Sequence, residues 1–77
     1  MHIENLVKMA NQIGQFFEAE PDQEQAAKDI ASHLKRFWDP RMRSAIIAQV
    51  DQGGAGLLDI VANTIKSQRA FLQPAQK

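Results

Sequence analysis

The sequence predicts an all-α fold, a small single-domain bundle of about four short helices. Apolar side chains recur at i, i+3, i+4 and i+7 in four successive windows. No window alternates apolar and polar residues with the period of a strand. Between the windows stand helix-breaking and helix-starting residues, namely Pro21, the pair Asp39-Pro40 and the pair Gly53-Gly54. The expected helices run over about residues 3–18, 22–38, 40–52 and 57–72, forming one domain over residues 1–72, with residues 73–77 as a flexible tail.

In the first helix Ile3, Leu6, Val7, Ala10, Ile13, Gly14 and Phe17 make the apolar stripe, with Met9 and Phe16 on its flank. "EAEPDQEQ" ends it, and Asp22 followed three residues later by Gln25 has the form of a capping box for the second. The second stripe is Ala27, Ile30, Ala31, Leu34, Phe37 and Trp38. Asp39 is disfavoured from helical dihedrals by the proline after it and is a preferred N-cap, so a third helix starts at Pro40. That helix carries Met42, Ala45, Ile46, Ile47 and Val50, and Gly53 or Gly54 supplies its left-handed stop. The fourth, from about Leu57, carries Leu58, Val61, Ala62, Ile65 and Leu72, widened by Leu57, Ile60 and Phe71.

Composition removes several classes of function. With 77 residues the chain buries only about 60% of the surface its unfolded form exposes, so its core is modest. No cysteine is present, which excludes a disulfide framework, a thiolate metal site and a cysteine nucleophile. No apolar run approaches the ~18 residues of a membrane span, and the opening "MHIENLVKMANQ" is too polar for a secretory signal. A cytoplasmic protein without a membrane partner is expected. The formal net charge is zero but divided: residues 1–32 hold two lysines against six acids, and residues 33–77 hold seven cations against three acids.

Catalytic and metal constellations are thin. His2 and His33 are the only histidines, and even with Asp29 one turn before His33 a metal ion lacks ligands. Ser32 and His33 are adjacent on a helix and point about 100° apart, so they do not form a hydrolytic pair. "GGAG" at residues 53–56 follows a helix rather than a strand and reads as helix termination, not a phosphate loop. Lys35, Arg36, Arg41 and Arg43 cluster beside Phe37 and Trp38, which admits a nucleic-acid-binding or regulatory module as the alternative reading; the zero net charge counts against nucleic acid.

The placement of those cations is informative. Lys35 and Arg36 complement the negative end of the second helix, whereas Arg41 and Arg43 occupy the first turn of the third, where positive charge is unfavourable. An Asp39–Arg43 surface pair would offset part of this, and an acidic surface on another protein would offset more. Phe17, Phe37 and Trp38 are expected mainly in the core. Met9 and Phe16, and Ile60 with Phe71, give apolar faces wider than a small bundle covers, which suggests docking.

Two motifs, "MANQIGQFF" at residues 9–17 and "HLKRFWDPRMR" at residues 33–43, resemble the delta subunit of the soluble NAD-dependent, molybdenum-containing formate dehydrogenase of bacteria. The resemblance runs from residue 1 to about residue 58, and the second motif is the more specific. It implies a small accessory subunit with no cofactor and no active site, supporting assembly, cofactor-loaded maturation or stability of a complex that oxidises formate to carbon dioxide. The implied partners are the subunits that hold the molybdenum-pterin cofactor, iron–sulfur clusters, flavin and NAD site; self-association of the isolated chain is also possible. The partner-binding residues expected from the misplaced arginines and the surplus apolar width are Trp38, Pro40, Arg41 and Arg43 at the junction, with Asn11 and Phe16 from the first motif.

Overall fold

The structure is a computed structural model and describes residues 2–74. Five helices follow one another: α1 Ile3–Phe17, α2 Gln23–Phe37, α3 Pro40–Asp51, α4 Asp59–Ser67 and α5 Arg69–Leu72. No strand occurs among the described residues. The three predicted punctuation points all act as such. Asp22 caps α2 by accepting the N–H groups of Glu24 and Gln25, although the capping box is not reciprocal: Glu20 takes the N–H of Asp22, and the Gln25 amide donates to Asp29 instead. Asp39 caps α3 by accepting Met42 N–H at 3.0 Å, with Pro40 at the first helical position.

Past α3, Gly53 and Gly54 both have positive φ, and their N–H groups reach back to the carbonyls of Val50 and Gln49. This is the two-bond glycine stop that satisfies the last helical carbonyls.

The fourth predicted helix needs correction. It starts at Asp59 rather than Leu57, because Leu57 turns back onto Gly54 and Leu58 is an extended N-cap. It also breaks at Gln68, where φ −106° and ψ 20° leave helical values, beside a Ser67 hydroxyl that donates to Thr64 O. The break redirects the chain so that α5 packs on α2 and Leu72 is fully buried. Of the expected tail, Gln73 N–H still bonds Arg69 O; residues 75–77 lie outside the described residues.

One hydrophobic cluster draws on all five helices. Ile30 and Leu34 of α2 sit at its centre against Ile46, Val61, Ile65 and Leu72, all of them without solvent exposure. From α1 it takes Leu6 and Ala10, and from the α2–α3 junction Trp38. Gly14, also buried, marks where α1 presses on α4: a Cβ there would lie 2.5 Å from Val61 Cγ2. Ala26 and Thr64 are buried although the stripes did not include them.

Candidate functional site

Phe37 departs most from the sequence-based expectation. It stands seven residues after Ile30 and three after Leu34, on the stripe that α2 turns to the core, yet it is 67% exposed. The stripe simply runs beyond the elements that cover it. Directly after it the backbone becomes extended at Trp38, φ −98° and ψ 134°, and that ring turns inward to 5% exposure. On α1, Met9 and Phe16 lie one above the other at i and i+7, exposed by 40% and 80%.

These surfaces meet. Met9, Ile13, Phe16 and Phe17 of α1, His33 and Phe37 of α2, Trp38, and Met42 of α3 line an open groove of about 620 Å³. Its wall residues are locally ordered: the Phe16 and Phe17 rings meet edge to face with centroids 5.0 Å apart, and the His33 and Phe37 rings lie 4.8 Å apart. Arg36 places its guanidinium 5.7 Å from the Phe37 ring centre. Three walls from three helices give a surface that is apolar at its floor and cationic at one rim.

The residues expected to bind a partner divide into two groups. Phe16 and Trp38 are together in the groove, and Pro40 and Arg41 are exposed in the same first turn of α3 as Met42. Asn11 and Arg43 are held in intramolecular bonds. The Asn11 amide donates to Gly56 O and accepts Leu58 N–H, each at 2.9 Å, and so fastens the α3–α4 loop to α1. Arg43 donates to Leu72 O at 3.0 Å and Lys35 to Phe71 O at 3.0 Å. Two cations thereby serve the last carbonyls of α5, where positive charge is favourable. Arg43, at the wrong end of its own helix, is at the right end of another.

No Asp39–Arg43 pair forms; among the described residues the ion pair is Arg69 with Asp51. That pair holds the Asp51 carboxyl below its ordinary value, chiefly through the hydrogen bond from Arg69. Among the described residues no three His, Asp or Glu side chains converge as metal ligands would, and no helix is long and apolar enough to cross a membrane.

A family profile described as the NADH-dependent formate dehydrogenase delta subunit FdsD matches residues 5–65. The chain belongs to this family. The match covers α1 from its third residue, α2, α3, the groove, the glycine stop and most of α4, so it extends beyond the two motifs that first suggested it. Neither the curated proteins nor the solved structures contain a match to the chain. The family is that of a formate dehydrogenase subunit, and Phe37 is the groove residue that sequence reasoning misplaced. Its only available signal was position: it is the last helical residue before the Trp38-Asp39-Pro40 corner, where the core stripe runs out of cover.

Proposed function

We propose that this chain is a non-catalytic accessory subunit of formate dehydrogenase, which holds no cofactor itself and supports assembly, cofactor-loaded maturation or stability by docking on other subunits. The observation that carries this reading is the groove between α1, α2 and the start of α3, where Phe16 and Phe37 stand in solvent. A short chain that has buried its central aliphatic residues gains little from two exposed phenylalanines on one groove unless something covers them. Family membership supports formate dehydrogenase as the assembly on which the chain docks.

The nucleic-acid reading loses ground on the same geometry. Of the four cations around the junction, Lys35 and Arg43 are engaged with α5 carbonyls, which leaves Arg36 and Arg41 as too small a patch to hold a phosphate backbone.

The test is to tag the chain in its own cells and to delete it in parallel. Formate dehydrogenase subunits are expected to co-purify in fixed proportion with the tagged chain, and the deletion strain is expected to yield enzyme with lower formate oxidation or lower molybdenum content. A tagged chain that elutes free, together with undiminished enzyme in the deletion strain, would overturn the proposal.

A further inference from the structure

The shape of the groove and the charges around it bear on what enters it. Met9, Ile13 and Phe16 follow the i, i+4, i+7 spacing of a helix-packing seam, and His33 and Phe37, at i and i+4, form the opposite wall. Met9 to Phe16 spans about 10 Å along α1, or two turns. A seam of this kind between two helices is complementary to the ridge of a third. A helix also brings its backbone hydrogen bonds already satisfied, which suits walls that are mainly apolar, with Gln12 and His33 as their polar members.

The charges near the groove narrow the choice further. Arg36, beside the Phe37 ring, and Arg41, next to Met42 in the first turn of α3, are exposed, and neither is within ion-pair distance of an acid among the described residues. Of the acids on this side, Asp29 accepts from Gln25 and Asp39 accepts Met42 N–H as the cap of α3. Two copies of this chain meeting groove to groove would bring Arg36 and Arg41 against their own kind. An occupant with carboxylates on its flanks would meet them with opposite charge.

We infer that the α1–α2–α3 groove receives a two- to three-turn amphipathic helix of another formate dehydrogenase subunit, with large apolar side chains at i, i+3 or i+4, and i+7, and with acidic residues flanking them toward Arg36 and Arg41. This inference rests on the accessory-subunit reading and deepens it by naming the partner's binding element. Phe16 and Phe37 are the anchors of the contact, and the two arginines steer and orient it.

Formate dehydrogenase purified from the deletion strain serves as the probe, with the wild-type chain, Phe16→Asp, Phe37→Asp and the double variant Arg36→Glu/Arg41→Glu immobilised in turn. All four substitutions are at exposed positions, and helicity checks that each variant folds. Each Phe→Asp change is expected to weaken binding at least ~30-fold, mainly through faster dissociation. The charge reversal is expected to slow association about 10-fold at low salt, with the difference shrinking as salt rises. A photo-reactive phenylalanine analogue at position 37 is expected to cross-link to a helical segment that bears carboxylates beside its apolar residues. If the wild-type chain itself fails to bind, the accessory-subunit reading falls and this inference with it. If the wild type binds and the Phe→Asp variants bind as well, or if the cross-link goes to a second copy of this chain or to a strand or loop, the helix-in-groove inference alone is overturned.

Discussion

Replacing Gly14 with alanine sets two effects of known size against each other. Inside a helix, alanine is favoured over glycine by about 1 kcal/mol, and α1 has helical neighbours on both sides of Gly14. The new methyl, however, would lie 2.5 Å from Val61 Cγ2 and 3.4 Å from Ile60 Cγ2, where carbon atoms prefer about 3.5–4.0 Å. Val61 is fully buried, and its β-branched side chain has little rotamer freedom with which to yield. Relief therefore requires α1 to move away from α4 by about an ångström, and overpacking of this kind costs about 1–3 kcal/mol. The packing effect wins, and Gly14→Ala is expected to lower stability by about 1 kcal/mol, or about 4–8 °C in Tm for a chain of this size. Thermal and urea unfolding followed by circular dichroism measures it. Combining the change with Val61→Ala should recover part of the loss, so that the double variant is more stable than the two single effects predict when added. A Gly14→Ala protein as stable as wild type, or more so, would show that α1 and α4 are not in contact at this point.

Three further outcomes follow from the hydrogen bonds and the ion pair. Asn11→Ala removes both loop bonds and leaves Leu58 N–H without its partner, so a loss of about 1–3 kcal/mol is expected by urea titration. Arg43→Ala should destabilise by about 1–2 kcal/mol through the freed Leu72 carbonyl, while Arg41→Ala, an exposed change, stays within about 0.5 kcal/mol; equal effects in calorimetry would contradict the geometry. Because Arg69 holds the Asp51 carboxyl below its ordinary 3.8, the stabilisation from this pair is complete above that value and is lost as pH falls through the folded-state value. Asp51→Asn should accordingly give a slightly shallower decline of the urea midpoint with acidification, a small effect because both side chains are solvated.

The helices and their ends were largely legible because local chemistry decides them. Asp22, Asp39-Pro40 and Gly53-Gly54 act on backbone groups within a few residues, and the sequence places them at those distances. What was not legible depends on partners far along the chain. Asn11 meets residues 45 and 47 positions away, and Arg43 meets one 29 positions away. No periodicity announces such contacts, and so two residues expected at an interface are fastening the fold. Phe37 illustrates the opposite limit: helical spacing gives the direction in which a side chain points, not the length of the element that covers it. The break at Gln68 belongs to the same class, since no proline or glycine marks it and packing of Leu72 under α2 accompanies it.

Trp38 occupies a position with an experimental consequence. It is the only tryptophan, the chain has no tyrosine, and its ring belongs to the hydrophobic cluster while also lining the groove. Its emission is therefore a single-site optical signal with two independent readings: a red shift as denaturant admits water to the interior, and a change in intensity or quenching as an occupant covers the groove from outside. Unfolding and complex formation can thus be followed in the wild-type chain, without a label, by one indole.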